Sequence, residues 1–110
     1  TDVMKIHFNS DGIGTLAYKG ASYAIGGQVG RAYPKDITVL PSAKSLSHMS
    51  GEYGCELKYA ILIWGQKGIY IHEWGTLAGS AGCLHLMPGD AEAVYNAFTS
   101  KTRILIDYDW

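Results

Sequence analysis

The residues best equipped for chemistry lie in the stretch GIYIHEWGTLAGSAGCLHL, Gly68 to Leu86, where His72 precedes Cys83 by eleven positions and His85 follows it by two. A cysteine attacks carbon as its thiolate, so it needs a base or a local field that removes its proton. An imidazole titrates near neutrality, can accept that proton, and can return it to a leaving group. We read Cys83 as the nucleophile and His72 as its base. Small residues, Gly79-Ser80-Ala81-Gly82, crowd the N-terminal side of Cys83 and permit close backbone approach. The N–H groups of Gly82 and Cys83 are candidates for stabilising the oxyanion of an acyl intermediate. A third group must hold His72 in the right tautomer; no Asp or Asn is placed by sequence to do so, and a backbone carbonyl would suffice. On a strand, His85 shares a face with Cys83 and competes as base or as a contact for a substrate carboxylate. Tyr70 and Trp74 flank the base as further substrate or supporting contacts.

Other readings fit the same residues. Cys83 suits a small buried hydrophobe, with His72 a satisfied strand histidine. Cys55 and Cys83 are the two cysteines, and they are compatible with a disulfide or with free thiols. His72, Cys83 and His85 offer three metal ligands, but no carboxylate is patterned beside them. A papain-like arrangement places Cys before His, and after Cys83 only His85 remains, too close to serve.

Around this stretch the chain reads as short strands. With 110 residues it is expected to form a single domain, 1–110, large enough for a real core. Fourteen glycines and eight tyrosines against three prolines favour strands and turns over a helical bundle. The net charge of −1 comes with scattered Lys and Arg, so no basic stripe for nucleic acid is expected. No apolar run is long enough for a membrane span, and Thr1 opens the chain without a signal-peptide pattern.

Val3 to Phe8 alternates, with Met4, Ile6 and Phe8 on one face, and Asn9-Ser10-Asp11-Gly12 is a turn. Strands follow around Thr15–Tyr18 and Ser22–Ile25. Gly26-Gly27-Gln28-Val29-Gly30 lacks the lysine and hydroxyl of a phosphate loop, and reads as a turn or a backbone-lined groove wall. Ile37 to Leu40 reads as a short strand ended by Pro41, and the polar Ser42 to Gly54 as a surface loop that carries a surface His48. Leu57 to Trp64 is the strongest apolar run and reads as a central strand. Gly65-Gln66-Lys67-Gly68 reverses the chain, and Ile69 to His72 returns it. Ala91, Val94, Tyr95 and Phe98 fall on one helical face, which predicts a helix over about 90–99 capped by Asp90. A last strand is expected from Thr102 to Tyr108.

With these residues in place, the segment 65–108 resembles the catalytic region of the L,D-transpeptidase family, the YkuD type. That family has a strand ending in His, a variable loop, then Ser-His-Gly-Cys, an aliphatic residue and Arg, followed by an Asp-Ala helix start and a last strand. The matching residues are His72, Ser80-Ala81-Gly82-Cys83-Leu84-His85-Leu86, Asp90-Ala91 and Thr102 to Ile106. The resemblance implies a mainly β fold, a sandwich or meander of YkuD type, with one short helix packed near the C-terminus. It implies a cysteine enzyme that needs no cofactor or metal and acts on peptidoglycan stem peptides, cleaving the bond between the L-centre of meso-diaminopimelate and D-alanine. The acyl-enzyme then passes to an amine or to water, as transferase or hydrolase. Cys83 is implied as nucleophile, His72 as base, Gly82 and Cys83 as oxyanion donors and Ser80 as loop organiser.

Two positions depart from the pattern: Ala81 stands where the family has histidine, and His85 where it has arginine. The loop before Cys83 is also shorter. In this the chain is similar to compact antibacterial effectors of type VI secretion, toxins that act in the periplasm or cell wall of a rival and are neutralised by an immunity protein. A wall-binding or protein-interaction domain without activity is the competing expectation, motivated by the absent arginine and by Tyr70, Trp74 and Tyr95.

Overall fold

The structure, a computed structural model, describes residues 1–51 and 54–110. Its strands are β1 Asp2–Phe8, β2 Ile13–Tyr18, β3 Ala21–Gly26, β4 Asp36–Val39, β5 Lys44–Met49, β6 Glu56–Trp64, β7 Ile69–Glu73, β8 Leu84–Leu86 and β9 Thr102–Tyr108, with one α-helix, α1 Asp90–Ala97. Among the described residues, the expected mainly β architecture with a single short helix near the C-terminus is what forms.

Period-two alternation explains the first meander. Met4, Ile6 and Phe8 of β1 are buried, Leu16 and Tyr18 of β2 join them, and both turns are tight enough for β1, β2 and β3 to pair antiparallel. A second antiparallel meander, β5–β6–β7, is built on the Leu57–Trp64 run. The two are joined by β8, only three residues long, which pairs antiparallel with β3 and parallel with β7. The sheet order is β4-β9-β1-β2-β3-β8-β7-β6-β5, with β9 parallel to β1. The sheet curls so that α1 packs against β6 and β7. Ala91, Val94 and Phe98 are fully buried there, and Phe98 alone contributes on the order of 2 kcal/mol by leaving water.

Three expectations are corrected. Ser42 to Gly54 is not a loop throughout: a 3-10 turn at Pro41–Ala43 leads into β5, while Glu52 and Tyr53 lie outside the described residues. Among the described residues β5 is an edge strand paired only to β6, so no face of it is wholly buried, and Leu46 and Met49 remain exposed. Its alternation is therefore weak in sequence. Second, Asp90 does not cap the helix. It is the first helical residue, Gly89 takes the N-cap position with φ +90°, and Asp90 acts only as an acidic group in the first turn. The helix also closes at Ala97. Third, β6 is interior but lies one strand in from the β5 edge; the centre of the sheet is occupied by β3 and β8.

Candidate active site

β7 and β8 run parallel, so the chain must travel back along the sheet between them. Residues 74–83 make that return without a helix, and this crossover roofs the outer face of the two strands. Ile69, Ile71, Leu84 and Leu86 point to the other side and belong to the core. The register pairs Ile71 with Leu84 and His72 with His85, so the two imidazoles are cross-strand neighbours beneath the roof, their ring centroids 5.2 Å apart. Cys83, two residues before His85, opens onto the same space. A cavity of about 340 Å³ is lined by Cys55, Leu57, His72, Trp74, Gly79, Ala81, Cys83 and His85. The structure thus brings Cys83, His72, His85 and Trp74 together.

Both rings are held by backbone carbonyls. His72 Nδ1 lies 2.8 Å from Glu73 O, and His85 Nδ1 lies 3.2 Å from Thr76 O. With Nδ1–H donating in each, Nε2 carries the lone pair and is the proton acceptor. His72 is 2% exposed and His85 7%. Burial holds the His72 imidazole below its ordinary value, with the Glu73 carbonyl pulling the other way. His85 is pushed down to about 4, by burial first and by the neighbouring His72 charge second. Both are therefore neutral near neutrality. Trp74 stands edge-on to His72 at 5.6 Å and packs against His85 at the same separation.

Cys83 is buried, 8% exposed, and its Sγ lies 3.9 Å from Gly68 O. No disulfide joins it to Cys55. Among the described residues no His, Cys, Asp and Glu group has the geometry to hold a metal ion.

The loop leading into β8 is braced from within by Ser80, whose hydroxyl donates to Cys83 O and accepts from Gly82 N–H at 3.0 Å. The Gly82 amide is thus engaged by Ser80. Gly82 itself has φ +138°, a conformation that favours glycine. Tyr70 shares the His72 side of β7, but its ring stacks on His48 at 4.6 Å and is not part of the cavity wall; His48 is half-buried by that contact.

Sequence reasoning missed Cys55 and Leu57 as cavity walls, and Arg31 and Tyr33 as neighbours of the loop leading into β8. Arg31 donates to Gln28 Oε1 at 2.7 Å and reaches Ala81 O at 3.5 Å, and Tyr33 donates to Gly82 O at 2.7 Å. Both come from the segment between β3 and β4, which is distant in sequence and carries no pattern that points at Cys83. Of the glycine-rich run 26–30 no residue lines the cavity, but a Cβ on Gly26 would fall 1.9 Å from Leu77 O, so the roof rests directly on the Gly26 backbone.

Solved structures share this architecture. The fold is that of the L,D-transpeptidases. The chain superposes with an L,D-transpeptidase from Stackebrandtia nassauensis at a TM-score of 0.69 and 16% identity, over 94% of this chain and 54% of that one. Mycobacterium tuberculosis L,D-transpeptidase 1 gives 0.69 and 18%, over 96% and 62%. An L,D-transpeptidase from M. tuberculosis H37Rv gives 0.66 and 23%, over 96% and 57%. The chain thus spans between about half and two thirds of the length of these structures. By sequence it matches no family model and no curated protein. No helix among the described residues is long and apolar enough to cross a membrane.

Proposed function

We propose that this domain is a cysteine acyltransferase acting on peptidoglycan stem peptides, with Cys83 as nucleophile and His72 as base. The observation that supports the reading is that Cys83 and His72 line one roofed cavity on an L,D-transpeptidase fold. In the proposed reaction His72 Nε2 takes the thiol proton and Sγ attacks the carbonyl of the L-centre of meso-diaminopimelate. An S–C bond forms, the C–N bond to D-alanine breaks, and the amine leaves with the proton returned by His72. The Cys83 N–H donates to the oxyanion. An amine then resolves the thioester as transpeptidase or amino-acid exchanger, or water resolves it as L,D-carboxypeptidase. Trp74 and His85 are proposed to contact the stem peptide within the cavity. The resemblance to compact secreted effectors extends the proposal to action in the periplasm or cell wall of a target cell, with an immunity protein closing the cavity mouth.

Incubation with disaccharide tetrapeptide, followed by mass spectrometry, tests the reading. Loss of D-alanine identifies hydrolysis, and a dimer or an amino-acid adduct identifies transfer. Product formation that survives in Cys83→Ala removes the nucleophile. Tight binding of the muropeptide by wild type without turnover leaves the wall-binding alternative in its place.

A further inference from the structure

The peptide unit that joins Gly82 to Cys83 presents a carbonyl on one side and the Cys83 N–H on the other. A trans peptide is planar, so whatever fixes the carbonyl also fixes the direction of the N–H. The carbonyl is fixed by Tyr33. Its hydroxyl donates to Gly82 O at 2.7 Å and accepts from Gln28 N–H at 2.8 Å, so both its donor and an acceptor position are engaged. The ring is 2% exposed and cannot swing: Phe8, Tyr108 and Trp110 surround it at centroid separations of 5.7, 6.2 and 6.4 Å. The backbone of the same segment is tied as well. Trp110 Nε1–H donates to Arg31 O at 2.8 Å, and Tyr108 OH donates to Tyr33 O at 3.2 Å.

The loop side is poised to need such a clamp. Gly82 has φ +138°, and a Cβ there would sit 3.2 Å from Ile69 Cδ1 and 3.3 Å from Arg31 Nη2, so the peptide is pressed between β7 and the Arg31 guanidinium. A glycine in this region has little intrinsic preference between peptide orientations. The hydrogen bond from Tyr33 breaks that degeneracy. Burial raises the phenol pKa above its ordinary value, offset in part by the Gln28 amide and the Arg31 charge, so the hydroxyl keeps its proton and remains a donor.

We propose that Tyr33 is a positioning residue for the oxyanion hole: by holding the Gly82 carbonyl it aims the Cys83 N–H at the oxygen of the tetrahedral intermediate. The proposal rests on Cys83 being the nucleophile. It separates two reactions of the same thiolate. Acylation by p-nitrophenyl acetate forms an S–C bond through a tetrahedral oxyanion, then breaks C–O and expels p-nitrophenolate. Alkylation by iodoacetamide forms an S–C bond and expels iodide with no oxyanion at any stage. Loss of thiol access or of base function slows both, whereas loss of the oxyanion hole slows the first alone.

The experiment compares wild type, Tyr33→Phe and Cys83→Ala with both reagents, the site of modification being read by peptide mass. Tyr33→Phe is expected to acylate at least about tenfold more slowly, a fraction of the loss seen when an oxyanion donor is removed outright. Its alkylation rate and the pH midpoint of alkylation should match wild type. Equal acylation in Tyr33→Phe and wild type overturns the role of Tyr33 and leaves Cys83 standing. Equal slowing of both reactions also overturns it, because a general disturbance of the loop is then the cause. A wild-type p-nitrophenolate burst no larger than that of Cys83→Ala removes the nucleophile and the proposal together. If Tyr33→Phe fails to fold, 3-fluorotyrosine at position 33 keeps the ring and hydroxyl but alters donor strength. A changed acylation rate at constant alkylation supports the proposal, and two unchanged rates overturn it.

Discussion

Replacing His85 by glutamine should remove a stability penalty that wild type carries in acid. The folded His85 imidazole titrates at about 4, against 6.5 in the unfolded chain. Between those values the unfolded state binds the proton and the folded state does not, so stability falls as pH falls. The contribution is fully present above the unfolded value and is lost progressively towards the folded one. At about pH 5 the two pKa values give a loss of about 2 kcal/mol, and about 1 kcal/mol once the water that reaches the ring through the open cavity is allowed for. His72 loses stability in the same direction, and because its charge acts on His85 the difference between the two proteins carries the His85 contribution together with that coupling. His7 works oppositely: its pKa is raised, by hydrogen bonding to Asp107 first and Asp109 second, so its contribution is present in acid and disappears as pH rises through the raised value. The wild-type profile alone is therefore a sum of opposed terms, and the difference between wild type and His85→Gln is the quantity to measure. Urea unfolding, followed by tryptophan fluorescence at about pH 7.5 and about pH 5, gives it. The stability of wild type relative to the variant should drop by between about 1 and 2 kcal/mol on acidification. A gap that stays constant, or moves in favour of wild type, would show that the His85 ring is not held neutral in the folded protein.

Two further substitutions probe how the roof is held. Gly26→Ala places a Cβ 1.9 Å from Leu77 O, a backbone atom that cannot move aside cheaply, so the crossover is expected to lift. A faster rate of Cys83 alkylation, with a Tm lower by several degrees, is the expected reading, and an unchanged pair of values would mean that the roof does not rest on Gly26. Ser80→Ala deletes the hydroxyl that bonds both Gly82 N–H and Cys83 O. Stability should fall by about 1–3 kcal/mol in thermal or urea unfolding, and muropeptide turnover should fall with it; Ser80→Thr should recover much of both.

What could be read from the chain is what local pattern encodes. Val3–Phe8, the run through Trp64 with its glycine reversal, and the Ala91/Val94/Phe98 spacing each carry their own periodicity, and each forms the expected element. β5 escaped because an edge strand has one partner and no wholly buried face, so Lys44-Ser45-Leu46-Ser47-His48-Met49 looks like a loop. The pairing of His72 with His85 required knowing that β7 and β8 run parallel, and an eleven-residue interval does not disclose that. Tyr33 and Arg31 were illegible for the same reason: they reach Gly82 and Ala81 across about fifty residues, through contacts that exist only once the sheet has closed. The departures at Ala81 and His85, by contrast, were visible at once. Their meaning came only with the fold, where His85 is a buried neutral ring rather than a charged partner.

The brevity of β8 bears on how the molecule is made. Until residues 84–86 slot between β3 and β7, the two meanders have no strand in common, and β9 is later still, supplying the parallel neighbour of β1 and the antiparallel partner of β4. Residues 1–83 taken by themselves therefore leave several strand edges unpaired. Residues 84–110 turn two separate ribbons into one surface. Cys83 immediately precedes the strand that performs this closure. The thiol environment is consequently a property of the finished sheet, and the rate at which Cys83 becomes protected during refolding reports the moment at which the halves are stitched together.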